Sequence, residues 1–362
     1  MRRFAWLIAG SGFFGAACGG SAAQPAQTPE VASKPAEPVL AGDAKPAEAK
    51  PAEAKPSAAA PAPLPTEGSE TRIKGSRVQV WLPVGMERRT RMPAFVLREH
   101  HMVISFTEFT LDAGADAKFL DGAKDGAELK DSQPVTRGRL HGFVGHTAVE
   151  EPGTRQQIMG VAAGNAAVVV TVRYPDAAES LVAKVLDSVE LNEADALDAV
   201  ALSGISAGDK AGLEVSNRVS TPVLFTEPGV KPPLNGAPSL AILSVPYPKP
   251  HLTDDELGQM LGGALGRYQP DAAKAKEAEL KIGACPAYTM VAPGQDQGKP
   301  IVVYGMIARC PDAALIGIGT LPVAAEKKML PRFEKIIHSL SLDNTIFAQV
   351  AATQAAASPK LP

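Results

Sequence analysis

The scarce residues that could carry chemistry in this 362-residue chain are six histidines and three cysteines. His100 and His101 are neighbours in a predicted strand and so face opposite sides. His141 and His146 differ by an odd number and do the same. With His251 and His338 far away, no metal-ligand spacing emerges, and a zinc or copper site would have to be assembled from distant parts of the chain. A hydrolase would want an exposed serine beside a histidine; His338 and Ser339 are adjacent on a predicted helix, point apart, and no G-x-S-x-G elbow supports them. Gly204-Ile-Ser-Ala-Gly-Asp-Lys210 has the glycines and lysine of a phosphate loop, yet Asp209 intervenes and no Ser or Thr follows, so it reads as a turn between domains. No catalytic, cofactor-binding or metal-binding residue is assigned.

Cys285 and Cys310 sit on a predicted hairpin, Ala284 to Val291 and Ile301 to Cys310. Symmetric pairing about the loop 293–300 puts Cys285 opposite about residue 308, within reach of Cys310 if a bulge or longer turn shifts the register. An oxidising compartment would let the bridge form, closing a loop of about 25 residues for roughly 3 kcal/mol. Two free buried thiols are the alternative, and a redox pair is a third reading that lacks a C-x-x-C. The matching positions of the first half, about Phe143 and Asn165, hold no cysteine. Arg88, Arg89 and Arg91 read as a solvated basic loop, with lipid headgroups or an anionic polymer as the functional alternative. Asp254, Asp255 and Glu256 suit a helix start. Overall, 36 basic against 39 acidic residues, net −3, argue against a nucleic-acid binder, which needs a basic excess to neutralise phosphates.

Residues 1–18 place Arg2 and Arg3 ahead of the apolar run Phe4 to Ala17, too short to span a bilayer but ordered like an export signal. Gly15-Ala16-Ala17-Cys18 resembles the lipobox of bacterial lipoproteins, which implies acylation of Cys18 and anchoring to a membrane; Gly15 stands where Leu is usual. Ser21-Ala22-Ala23 offers a competing site for plain secretion that would discard Cys18. Gly19 lacks the Asp that marks inner-membrane retention in that family, which favours an outer-membrane lipoprotein facing the periplasm or the cell surface. From 19 to 70 the chain is Ala, Pro, Lys and Glu, repeating Lys45-Pro-Ala-Glu-Ala and Lys50-Pro-Ala-Glu-Ala. Prolines at that spacing forbid a continuous helix and favour an extended, disordered stalk. Residues 344–362 read as a disordered tail.

Between them, residues 71–192 and 193–343 read as two copies of one plan: three strands, a helix, a hairpin, a strand, a helix. Ile158 to Arg173 is a strand, a Gly-Asn turn and a β-branched strand. Asp176 is placed to cap a helix carrying Leu181, Val182, Val185, Leu186 and Val189. The second half answers with strands Ile301 to Cys310 and Ala314 to Leu321, then a helix with Phe333, Ile336, Ile337 and Leu340 on one face and Pro331 at its first turn. Gly160 matches Gly305, and Asp187-Ser188-Val189-Glu190-Leu191 matches His338-Ser339-Leu340-Ser341-Leu342. Val78 to Met86 is set against Val219 to Gly229, and Ala94 to Thr110 against Ser239 to Pro246. Thr253 and Glu256 form a capping box before the stripe Leu257, Met260, Leu261, Ala264, Leu265 and Tyr268; its glycines, 258, 262, 263 and 266, serve close packing or weaken it. The first-half helix, about 115–129, is poorly patterned.

This is an α+β class: tandem antiparallel β-sheet domains flanked by helices. The Trp81-Leu-Pro-Val-Gly-Met86 opening, the glycine-containing hairpin strands and the closing helix with its Ser-Val/Leu ending resemble the PsbP-like and DcrB-like α/β/α sandwich family. The resemblance implies an envelope or lumen location and roles in binding or assembly, with no shared catalytic residues to carry over. The expectation is a non-enzymatic envelope lipoprotein that binds an envelope protein. The alternatives are a periplasmic hydrolase or redox enzyme with a site built from distant residues, and a small-ligand or metal carrier.

Overall fold

The computed structural model describes residues 63–347, apart from 89–90, 150, 231–233, 235, 246–251 and 312. The export segment, Cys18, Arg89, His251 and nearly all of the stalk and tail lie outside those residues. The first strand starts slightly before 71: β1 (Gly68–Arg72) pairs with β2 (Val78–Pro83).

The first lobe continues through β3 (Glu87–Arg88), β4 (Ala94–Leu97), β5 (Met102–Thr110), α1 (Asp116–Gly126), β6 (Gln133–Arg137), β7 (Leu140–Thr147), β8 (Thr154–Ala163), β9 (Ala166–Pro175), α2 (Glu179–Asp187) and β10 (Glu190–Leu191). Strands β3-β4-β5-β9-β8-β7-β6 form one antiparallel sheet, and β1-β2-β10 a smaller one. β9 is central because its β-branched run is apolar on both faces. Val168, Val170 and Val172 enter a cluster with Leu181, Val182 and Val185 of α2. Ala167 and Val169 enter another with Phe119 and Leu120 of α1. The sheet is therefore covered by a helix on each side.

The second lobe repeats this order. It runs α3 (Ala199–Ser203), β11 (Ile205–Ala207), β12 (Glu214–Ser216), β13 (Val223–Thr226), β14 (Ser239–Val245), α4 (Asp254–Leu265), β15 (Lys276–Ile282), β16 (Cys285–Asp296), β17 (Lys299–Arg309), β18 (Ala314–Pro322), α5 (Glu326–His338) and β19 (Leu340–Leu342). Its sheet order is β12-β13-β14-β18-β17-β16-β15, the first lobe's order advanced by nine strands. α4 packs Leu257, Leu261 and Leu265 on one face, and α5 packs Phe333, Ile336 and Ile337 on the other. The matched glycines have a shared reason. A Cβ on Gly160 would lie 2.6 Å from the Phe143 ring, and one on Gly305 2.7 Å from Leu265.

The matched serines also share a job. Ser188 Oγ donates to Val185 O (2.7 Å) and accepts from Trp81 N (2.8 Å); Ser339 Oγ donates to Ile336 O (3.0 Å) and accepts from Asp209 N (3.0 Å). Each closes its helix and clips it to the strand region of the small sheet. This corrects the front-end alignment. β10 pairs with β2, and β19 with β11, so the counterpart of β2 is β11 and not β13; the shared proline-glycine turn reflected turn chemistry and not position. The segment from Gly204 is accordingly no plain turn, because Ile205–Ala207 is a strand.

Two helix details also differ. α2 is preceded by a short 3-10 turn, and Asp176 leaves the cap to bond Arg155 Nε at 2.6 Å. Pro331 lies inside α5 and not in its first turn. The carbonyl it deprives of a donor belongs to exposed Lys327, where water can replace the lost bond. The capping box at Thr253 and Glu256 is present.

Cys285 and Cys310 are joined by a disulfide. The ladder pairs Ala287 with Ala308, so the same register carried two residues outward sets Cys285 against Cys310 with no bulge. Replacing both by alanine removes a cross-link spanning 25 residues and is expected to cost about 3 kcal/mol. Urea unfolding of the double variant beside oxidised wild type measures it, and equal midpoints would contradict a structural role.

Candidate functional site

The most elaborate polar constellation lies where the two lobes meet. The period-two pattern of β5 points Met102, Ile104 and Phe106 into the core, and the next inward position is Glu108, fully buried. Its carboxylate accepts from Ser76 Oγ and from Arg77 N (2.9 Å), and the buried Arg77 guanidinium stands 3.6 Å away. Arg77 also donates to Phe109 O at 2.8 Å. Burial pushes the Glu108 carboxyl above its ordinary range and lowers the Arg77 guanidinium, with the hydrogen bonds and the mutual attraction opposing both shifts.

Glu108 is also where the second lobe attaches. Its backbone N–H donates to Ser220 Oγ (2.9 Å), and Ser220 N–H donates to Glu108 O (3.0 Å). Phe109 bridges to Val219, Thr110 N–H donates to Arg218 O (2.8 Å), and Arg218 pairs with Asp112 at 2.7 Å. Residues 217–220 thus extend the first sheet although they belong to the second lobe.

A second contact region corrects the expectation of a solvated basic loop. Arg88 and Arg91 are 3% and 2% exposed. Arg88 donates to Leu202 O in α3. Arg91 donates to Asp343 O (2.8 Å), Gly204 O (3.3 Å) and the Asn344 side chain, and lies over the Phe347 ring. These arginines satisfy carbonyls at the ends of α3 and β19, which the chain cannot cap locally. Burial and the adjacent Arg91 charge lower Arg88 to about 10, still protonated at neutral pH. Asn344 and the 3-10 turn Thr345–Phe347, with Ile346 buried, were expected to be disordered tail; they belong to this contact.

The histidines separate as their types allow. His100 ends a short 3-10 helix and His101 occupies a left-handed turn, so neither lies in a strand as expected. His141 and His146 do face opposite sides of β7. His141 meets Asp116 of α1 at 3.1 Å. His146 meets Asp131 at 3.1 Å through Nδ1, and its Nε2 is 3.3 Å from Tyr174 Oη and 3.7 Å from Glu179. Tyr174 Oη donates to Glu179 at 3.0 Å, and Arg155 bonds both Asp176 and Glu179. Tyr174 is raised by burial and by its bond to Glu179, and Asp131 is lowered by the His146 backbone and ring. The chain Asp131, His146, Tyr174, Glu179 could relay a proton, but its hydroxyl is buried and committed. Among the described residues no group of three or more His, Cys, Asp or Glu could hold a metal ion, and no helix is long and apolar enough to cross a membrane.

Ser339 is committed to helix closure, and Asp254 pairs with Arg309 at 2.7 Å. A depression of about 410 Å³ lies at the β1–β2 turn, lined by Arg72, Lys74, Ser76 and Asp195. Arg72 and Asp195 neutralise each other across it. Ser76 turns its hydroxyl inward to Glu108 and is not presented there as a nucleophile.

No protein-family model matches the chain, and no curated protein matches it. Solved structures with similar folds include LpqN, involved in cell envelope biogenesis of Mycobacterium tuberculosis, at 12% identity and TM-score 0.28, covering 38% of this chain and 82% of LpqN. PsbP (CyanoP) of Synechocystis sp. PCC 6803 is similar at 11% identity and TM-score 0.25, over 38% of this chain and 91% of that one. The type VI secretion immunity protein TplEi of Pseudomonas aeruginosa is similar at 10% identity and TM-score 0.28, over 76% and 97%.

Proposed function

We propose that the chain is a non-enzymatic cell-envelope lipoprotein whose two lobes act together as one binding or assembly module. The observation that carries this reading is the buried contact between the lobes. Glu108, Arg77 and Ser220 on one side and Arg88, Arg91, Asp343 and Asn344 on the other hold two similar domains in one arrangement. A composite surface fixed before a partner arrives avoids the entropy of ordering it on binding. The polar groups most suited to chemistry are committed within each lobe: Ser76 donates to Glu108, Ser339 to Ile336 O and Tyr174 to Glu179. For the address, the lipobox-like Gly15 to Cys18, the proline-rich stalk and an oxidised Cys285–Cys310 pair support export to an oxidising compartment, with outer-membrane anchoring through Cys18.

Metabolic labelling with an alkyne fatty acid should mark the wild type, and Cys18→Ala should be unlabelled and released; an unlabelled wild type contradicts the anchor. For binding, a photo-crosslinking residue at exposed Asp125 on α1 or Lys281 on β15 should give a discrete adduct in intact cells. That adduct should fade when Arg91→Ala loosens the contact between the lobes. Adducts indifferent to Arg91, or none from any exposed position of either lobe, contradict the module.

A further inference from the structure

The two large sheets finish differently at the strand that follows each lobe's longer first helix. β6 closes the first sheet and β15 the second, each paired on one side only among the described residues. Two-residue turns fix the parity of both strands. Arg137 and Leu140 flank one such turn, Ile282 and Cys285 the other, so each of these pairs is hydrogen-bonded. On β6, therefore, Gln133, Val135 and Arg137 turn their backbone groups to β7, while Pro134 and Thr136 turn theirs outward. Pro134 has no N–H, so this five-residue edge offers one outward donor, and the first sheet is blunted there.

β15 is left open. It runs for seven residues without a proline. Lys276, Ala278, Leu280 and Ile282 spend their backbone groups on β16, and Glu277, Glu279 and Lys281 turn theirs to the uncovered side. Those three residues are exposed, as are Lys276 and Ala278 between and beside them. The chain on both sides of the strand is described, and nothing in it pairs with that edge.

Charged side chains ordinarily guard such an edge, but here their signs and spacing suit a particular neighbour. Glu279 and Lys281 lie on one face, two residues apart, and among the described residues neither has an ion pair. An antiparallel copy of the strand must set odd-numbered residues opposite odd-numbered ones, because those carry the outward groups. Centred on Leu280, the copy places its Lys281 opposite Glu279 and its Glu279 opposite Lys281, with Glu277 opposite Gly283. Centring on Ala278 or Glu279 sets glutamate against glutamate, and centring on Lys281 sets lysine against lysine. On the other face the Leu280 register brings half-buried Leu280 against its own copy, as a closely spaced pair without hydrogen bonds. It also sets Ala278 against Ile282, which prolongs the apolar cluster under α5.

We infer that β15 pairs with β15 of a second copy of this chain about a two-fold axis at Leu280, joining the two seven-stranded sheets into one. The interface is isologous, so the same edge serves both subunits. Opposite charges facing across an antiparallel pair stabilise it, and like charges oppose it. One strand pair is small beside the roughly 1,200–2,000 Å² of stable interfaces, so the association is weak. It goes beyond the binding-module reading and does not rest on it.

Sedimentation equilibrium of the full chain carrying Cys18→Ser tests the pairing. Wild type should be monomeric at about 10 μM and substantially dimeric at about 1 mM, the range of a weak complex. Lys281→Glu and Glu279→Lys each set like charges opposite one another twice and should weaken association by about tenfold or more. Both positions are exposed, so neither change disturbs the core. Mixed in equal amounts, the two variants should recover association, because the mixed pair again sets acid against base at both positions. Any replacement of Lys281, a probe included, removes both ion pairs, so a label carried there reports the single chain. The inference is overturned by a wild type that stays monomeric at the upper concentration, by reversals that leave the dimer as it was, or by a mixture no more associated than its components. A monomeric chain whose Lys281 cross-linker traps a different protein rejects the second copy as the occupant of this edge and leaves the binding module standing.

Discussion

Glu108→Ala should lower the unfolding free energy by about 3–5 kcal/mol, because it strands the buried Arg77 charge. Glu108 and Arg77 are 0% and 3% exposed, so solvent cannot screen the loss. The alanine also takes the acceptor from Ser76 Oγ and Arg77 N. Arg77→Met combined with Glu108→Leu should recover much of the loss, since replacing both members of a buried pair removes the uncompensated charge. Chemical denaturation of the single and double variants reads this directly, and a Glu108→Ala protein as stable as wild type would mean that water reaches the pair. The pH dependence has a definite sign. Burial raises the Glu108 carboxyl above its ordinary 4.5, so the folded state holds that proton more tightly than the unfolded chain. Its contribution is therefore most favourable below about 4.5 and declines as pH climbs from there through the folded value. Glu108→Gln should lack the component that declines as pH rises above about 4.5.

Arg91→Ala should cost about 4 kcal/mol and divide what is otherwise one unfolding transition into two. The truncation leaves the Asp343 carbonyl and the Asn344 side chain without this donor, each loss worth about 1–3 kcal/mol when buried, while the Gly204 carbonyl loses one of two donors and keeps the Asp343 N–H at 2.7 Å. These acceptors belong to the second lobe and to the segment after it, so the loss falls on the contact between lobes more than on either core. Trp81 fluorescence follows the first lobe, and a fluorophore at exposed Lys281 follows the second. The two curves should coincide in wild type and separate in Arg91→Ala, the sign of lost cooperativity. Arg91→Lys should not rescue, because an ammonium cannot reproduce the planar fork that reaches three acceptors at once.

What could be foreseen was local. The β-branched run of β9, the capping box at Thr253 and the stripes of α2, α4 and α5 depend on residues a few positions apart, and the structure has them where periodicity put them. The cysteine bridge was within two residues of the hairpin's symmetric register, and the ladder closes that gap. The contact between lobes could not be foreseen in the same way. Arg91 finds its acceptors 113 and 252 residues along the chain, and an Arg-rich run beside a turn has the composition of a solvated loop. Glu108 did leave a trace: Met102, Ile104 and Phe106 fix an inward face, and a carboxylate at the next inward position calls for a buried partner. Aligning the lobes by turn chemistry set β2 against β13. The pairing of β2 with β10 and of β11 with β19 shows that long-range pairing, not turn residues, defines the repeat.

The contacts at Glu108 and Arg91 make the two lobes one body before any partner binds. Nitroxide labels at Asp125→Cys on α1 and Lys281→Cys on β15, in a Cys18→Ser chain with the Cys285–Cys310 bridge intact, measure it by pulsed electron resonance. A single narrow distance distribution is expected in otherwise wild-type protein and a broad one when Arg91→Ala is added. A broad distribution without Arg91→Ala, or one that this substitution leaves narrow, would contradict it.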